Sequence, residues 1–248
     1  MKLISYDIEL WNDFVTTDPF DTNIPSIAGI ATNDVNEVMF YFDLEDDAKM
    51  KTKTAQELVI TMMSLYQQGY IPFGWNTTSF DFRLLAHYSG MFEECGELAL
   101  NGIDGMLMVT FNRGYFLALE KALKGADVGT KLHEVALNDG TIITDMSGAK
   151  APQMWRDGEY NAVTKYLRDD VLQPLKLAEV IEERGGIKWT ANSGNMNFCA
   201  QRLVPVTELF KLPTLSDKET KWMGTPPKPR LEFVDWIPNK VLEKYGLK

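Results

Sequence analysis

Three strand-like runs precede the first helical pattern in this chain, and that order limits the folds open to it. Residues 1–9 read as one strand. "IPSIAGIAT" (24–32) and "NEVMFYFDL" (36–44) read as two more, joined by the turn-type sequence "NDVN", so a hairpin is expected there. The result is a mostly antiparallel start to a sheet. "WNDFVTTDPFDT", between the first two runs, reads as a polar loop.

The remainder alternates. Residues 54–69 carry a Thr cap, helical spacing of Leu58, Met62 and Leu65, and a Gly stop. "YIPFGWN" (70–76) is a short buried strand, and 79–92 starts a second helix with Ser79 as its cap. Further helical segments are expected near 112–124 and 129–138, then a loop at 136–152 that holds a short extended piece. Residues 158–184 form the longest helical pattern, kinked at Pro174. A small hairpin is expected around "NSGN", and the last 40 residues read as an extension wrapped on the domain. Strands first, then alternating elements, then a long helix, indicate α/β or α+β.

Composition adds exclusions. A chain of 248 residues with 45% hydrophobic and 24% charged residues supports a sizeable core. No apolar run approaches the roughly 20 residues of a membrane span, and "MKLISYDIEL" reaches a carboxylate too early for a signal peptide. Cys95 and Cys199 fit neither a zinc spacing nor a disulfide framework, so a reducing, cytoplasmic setting is expected. The net charge of −10 argues against tight nonspecific duplex binding, but not against an enzyme that grips a few nucleotides.

The acids are placed unusually. Asp7 and Glu9 lie two apart in a strand, hence on one face. Like charges side by side repel unless something positive lies between them, and a divalent cation answers that need. Asp81, in "GWNTTSFDF", falls in the first turn of a helix, where the dipole favours a charged carboxylate. In "YLRDDV", Tyr166 and Asp170 share a helix face one turn apart. Each has a bland reading: a strand end reaching water, a helix-start carboxylate, a core aromatic, a solvated face.

The ordered set resembles the three motifs of the DEDD superfamily of 3′→5′ exonucleases: Asp-x-Glu at Asp7 and Glu9, Asn-x-x-x-Phe-Asp at Asn76, Phe80 and Asp81, and Tyr-x-x-x-Asp at Tyr166 and Asp170. It is most similar to the tyrosine branch, related to the proofreading domains of B-family DNA polymerases and to stand-alone bacterial and phage members. The histidine branch needs a His where this chain has Lys165. The resemblance covers about residues 1–185. It implies a ribonuclease-H-like α/β fold, a mixed central sheet with its first three strands antiparallel, flanked by helices. It also implies an exonuclease domain over 1–190, with 191–248 as an extension packed on it.

The resemblance further implies a two-metal hydrolase that uses Mg²⁺ or Mn²⁺, trims single-stranded 3′ ends (DNA ahead of RNA) and releases nucleoside 5′-monophosphates. Asp7 would bridge both cations, Glu9 and Asp170 would hold the one carrying the attacking water, and Asp81 would serve the other. Tyr166 would orient the water, Asn76 would bond near the terminal nucleotide, and Phe80 would pack beneath the site. The family usually has a small polar residue after the motif-one Glu. Here Leu10 and Trp11 follow, and they offer either a surface for the terminal base or packing against the next loop. Arg83, Lys121, Lys124 and Lys131 are candidate phosphate contacts. Other readings are a catalytically silent nucleic-acid-binding module of the same fold, or an exoribonuclease. A polymerase or helicase partner would be a separate chain.

Overall fold

The computed structural model describes residues 1–15, 22–224 and 226–248; part of the expected polar loop, residues 16–21, lies outside the described residues. The elements in chain order are β1 (Leu3–Leu10), β2 (Pro25–Thr32), β3 (Val35–Phe42), α1 (Thr52–Gln67), β4 (Ile71–Gly74), α2 (Asp81–Ser89), α3 (Phe92–Asn101), β5 (Ile103–Asp104), α4 (Gly105–Arg113) and α5 (Leu119–Ala126). They continue with β6 (Val135–Ala136), β7 (Ile142–Ile143), α6 (Ala151–Arg156), α7 (Tyr160–Arg184), β8 (Ile187–Thr190), β9 (Met196–Cys199), α8 (Val206–Leu209), α9 (Asp217–Thr220) and α10 (Asn239–Lys244).

Five strands form one mixed sheet in the order β3-β2-β1-β4-β5. β2 pairs antiparallel with both β1 and β3, whereas β4 pairs parallel with β1 and β5 parallel with β4. The central position of β1 explains its sequence. Leu3, Ile4, Tyr6, Ile8 and Leu10 are all buried, as expected of a strand covered on both faces. On one face Tyr6 meets Phe82 of α2, ring centroids 4.6 Å apart. On the other lies α7. Gly29 of β2, paired with Asp7, is what lets α7 approach: a Cβ there would stand 3.1 Å from Val171 Cγ2 and 3.4 Å from Leu167 Cγ. The missing side chain brings the helix down beside Asp7.

Several boundaries differ from the sequence reading. α1 begins at Thr52, not Thr54, because Asp43 takes both the Lys51 N–H and the Thr54 hydroxyl, each at 2.7 Å. Ser79 does not cap α2; its hydroxyl donates to Asn76 Oδ1 at 2.6 Å. The segment 129–138 is not helical. Gly129 takes φ +118, and Val135–Ala136 pair with Ile142–Ile143 across the "NDGT" turn. The long helix is present as expected, α7, with Pro174 inside it.

The C-terminal segment lies on α2, α3 and α4. Trp236 Nε1 donates to the Thr78 carbonyl at 3.0 Å, Tyr245 accepts from Asn101 at 2.6 Å, and Lys244 meets Glu97 at 2.7 Å. The expected boundary at 190/191 falls between β8 and β9, which pair with each other. Cys95 and Cys199 are free and buried. Among the described residues no helix is long and apolar enough to cross a membrane.

Candidate active site

The sheet and α7 bring three carboxylates together. Asp7 and Glu9 project from β1 toward α7, and Asp170 projects from α7 toward them. Each offers an oxygen within 4.8 Å of the others. Glu9 and Asp170 are buried and Asp7 is half-buried. They line a cleft of about 510 Å³ with Leu10, Asp13, Phe14, Phe80, Lys131, Gly148, Ala149, Pro152 and Tyr166. The loop before α6 closes the cleft, with Gly148 facing Glu9 Oε2.

Asp81 stands at the start of α2, buried, outside that triad of oxygens, and close enough to Asp7 to raise its pKa. Its Oδ1 and the Oδ1 of Asp170 are buried without a hydrogen-bond partner. Such atoms are rare in native proteins because each forfeits its hydration. Asp170 belongs to the triad that could hold a metal ion.

The electrostatics agree. Burial, then the charge of Asp170, push Asp7 up to about 7; Lys131 and the Ile8 N–H pull the other way. Burial and the neighbouring carboxylates likewise raise Glu9 and Asp81. Lys131 supplies the cluster's local positive charge: its Nζ donates to Asp170 Oδ2 at 2.9 Å and lies 5.8 Å from the Tyr166 ring centroid. Burial alone would lower the ammonium's pKa, but Asp170, Asp7 and Glu9 outweigh it and hold it above the usual value. Tyr166 is 2% exposed. Burial first, then Asp170 and Glu9, push its phenol far above the ordinary range, so it stays protonated.

Not every nominated residue is in the cleft. Leu10 and Phe80 line it, and Phe80 meets Phe14 edge-on at 5.2 Å. Trp11 does not. It packs beneath Lys49 (4.1 Å) and Arg156 (5.5 Å), with its Nε1 on the Asp47 carbonyl. Asn76 is engaged in the turn before α2, at φ +66. Arg83 faces Asp235 of the C-terminal segment at 3.7 Å. Lys121 bonds Asn192 and Lys124 pairs with Glu120. Of the four candidate phosphate contacts, Lys131 is the one in the cleft. Sequence reasoning passed over Asp13, Phe14 and Asp104. Asp104 holds the turn before α2 by accepting the N–H groups of Asn76 and Thr78, both at 3.0 Å. An Asp directly ahead of an apolar helical run is a cap signal, and it was legible.

No family model and no curated protein matches the chain. A solved structure does: the family B DNA polymerase from the hyperthermophilic archaeon Pyrobaculum calidifontis, at a TM-score of 0.50 and 16% identity, over 73% of this chain and 24% of the polymerase. The matched region therefore spans about a quarter of that protein, and at this identity the likeness is one of fold: a mixed α/β sheet flanked by helices, as found in part of a family B DNA polymerase.

Proposed function

We propose that this chain is a metal-dependent 3′→5′ exonuclease with a ribonuclease-H-like fold, acting on single-stranded 3′ ends, DNA ahead of RNA. The observation that carries the reading is the triad of Asp7, Glu9 and Asp170, three carboxylate oxygens within 4.8 Å at the floor of a cleft. The partnerless oxygens of Asp81 and Asp170 support it, as does a donor set made wholly of hard oxygens. Mg²⁺ or Mn²⁺ fits such a set. Asp7, Glu9 and Asp170 would hold one ion, and Asp7 with Asp81 a second. Bound there, divalent cations supply Lewis-acid stabilisation of phosphate charge and a more acidic water.

The chain's own residues do the rest. The protonated Tyr166 hydroxyl donates to the attacking water and orients its lone pair. Lys131, held as an ammonium, offsets charge on the phosphate. Leu10 and Phe80 wall the cleft where the terminal nucleoside enters, and they exclude water from its base. The water oxygen bonds to the last phosphorus, and the bond from phosphorus to the 3′ oxygen of the preceding nucleotide breaks. That oxygen takes up a proton that the attacking water gives up, leaving a shortened strand with a 3′ hydroxyl and a nucleoside 5′-monophosphate.

The test is a substrate panel with Mg²⁺ and with Mn²⁺: single-stranded, duplex and 3′-mismatched DNA, and RNA. Calorimetric titration of each ion runs alongside. Stepwise loss of 3′ nucleotides from single strands, with ion binding, is expected. Ion binding with no cleavage of any strand would leave a silent module, and no ion binding would remove the reading altogether.

A further inference from the structure

Away from the carboxylates, the surface carries a group of exposed aromatic side chains that no core accounts for. It is assembled at the end of α4. Gly114 there adopts φ +84, and a Cβ on it would meet Met223 Sδ at 3.1 Å and Leu215 Cδ1 and Pro227 Cγ at 3.2 Å. The bare glycine therefore lets the C-terminal segment lie against Tyr115 and Phe116. Trp222 stands edge-on to Tyr115, centroids 5.5 Å apart, and is 69% exposed. Phe116 meets Phe233 at 5.9 Å and is 57% exposed; Leu231 is 48% exposed. Large apolar groups gathered on a surface mark a contact site.

The charges beside them are not balanced by pairing. Among the described residues Lys218 and Lys221 have no ion-pair partner, and both are exposed. Glu219 is engaged by the Ser216 N–H and hydroxyl, at 2.8 and 2.6 Å, and Glu232 faces Lys228 at 3.8 Å. Asp217 remains beside the lysines. Exposed rings with free cations among them are how proteins bind single strands without reading sequence.

The patch is also connected to the catalytic cleft. Leu117 accepts from Trp75 Nε1 at 2.7 Å. Trp75 and Leu119 line a cavity of about 230 Å³ with Asp7, Lys131 and Asp170. Phe116 is three residues from Leu119, at most about 11 Å of chain.

We infer that Trp222, Phe116, Lys218 and Lys221 form a second nucleic-acid contact, which takes unpaired nucleotides on the 5′ side of a strand whose 3′ end lies at the carboxylates. The direction of the strand rests on the exonuclease reading; the contact itself does not. The test is fluorescence anisotropy of the full chain in chelator, so that nothing is cleaved, with labelled oligothymidylates of roughly 4 and roughly 16 nucleotides.

Trp222→Ala and Lys221→Glu are each expected to weaken the long strand about tenfold and to leave the short strand and the melting temperature unchanged. Lys53→Glu, at an exposed position of α1, serves as the control and is expected to leave both affinities as in wild type. If the long strand loses affinity in the variants while wild type cleaves nothing with Mn²⁺, the contact stands and the exonuclease reading falls. Unchanged affinity for the long strand in both variants overturns the proposal. So does unchanged affinity accompanied by loss of a dimer in sedimentation, which would make the patch a self-association surface.

Discussion

Two buried acidic centres lie near each other in this fold, and their carboxylates are treated in opposite ways. Asp104, fully buried, accepts four backbone N–H groups: Asn76, Met106 and Leu107 on one oxygen and Thr78 on the other, all at 3.0 to 3.1 Å. Burial still raises its pKa, but those N–H groups pull it back. Asp7, Glu9 and Asp170 face one another instead, with one ammonium among them and orphaned oxygens around them. A carboxylate whose lone pairs are spent on the backbone locks a turn. A carboxylate whose lone pairs are unspent keeps the capacity to bind something else. The contrast separates architecture from chemistry more cleanly than burial does, since Glu9 and Asp170 are buried as Asp104 is.

The comparison breaks most sharply under alanine. Asp7→Ala is expected to lower cleavage about a thousandfold, the scale seen when a charge-stabilising group is removed from a reaction centre, while the far-UV circular dichroism stays native. Wild-type rates would remove Asp7 from the site. Asp104→Ala is expected to do the reverse kind of damage. It strands four buried N–H groups and costs about 3 kcal/mol or more of stability, read as a lower midpoint in urea. Its effect on cleavage would come through a displaced Asp81, since the turn it holds leads into α2. An unchanged midpoint would mean that the turn is held by its other contacts, such as the Trp236 bond to Thr78.

Within the carboxylate centre, Tyr166→Phe removes only a hydroxyl. On the proposed exonuclease reading, in which the phenol is a hydrogen-bond donor rather than a base, a loss of about tenfold in kcat is expected, with KM and the melting temperature unchanged. Burial, then Asp170 and Glu9, keep the phenol protonated. Unchanged turnover would leave Tyr166 as a packing residue of α7.

Much of this arrangement was legible from the chain, for identifiable reasons. Strand alternation puts Asp7 and Glu9 on one face, and helix periodicity puts Tyr166 and Asp170 on another, so the facing sets follow from local geometry alone. Lys131 could not be separated from Lys121 and Lys124. Which lysine reaches the carboxylates depends on the path of residues 129–134, and the helical expectation there failed at Gly129, whose positive φ turns the chain. Gly29 carried no visible signal either; its importance is a register fact, its pairing with Asp7 beneath α7. Trp11 shows the opposite case, a residue prominent in sequence whose ring is covered by Lys49 and Arg156.

The last expected effect tests the electrostatic contrast without any substrate. Asp7 faces Glu9 and Asp170, which oppose its ionisation, and Lys131 and the Ile8 N–H, which favour it; burial decides, and its pKa rises from 3.8 to about 7 on folding. A carboxyl whose pKa rises on folding holds its proton more tightly in the folded chain than in the unfolded one. Folding is then favoured at low pH, and that advantage is lost as pH climbs between those two values. Asp7→Asn cannot ionise, so the melting temperature of the variant minus that of wild type, both in chelator, isolates the effect. The difference is expected near zero at about pH 3, to grow in favour of the variant up to about pH 7, and to level off there at up to roughly 10 °C, the shift that the about 4 kcal/mol of such a rise produces in a domain of this size. Mn²⁺ is expected to reverse its sign, because only wild type gains a ligand for the ion. A flat difference would mean that the charges around Asp7 cancel. A difference favouring wild type in chelator would mean that Lys131 outweighs burial, and that the centre is satisfied by its own lysine in the way Asp104 is satisfied by the backbone.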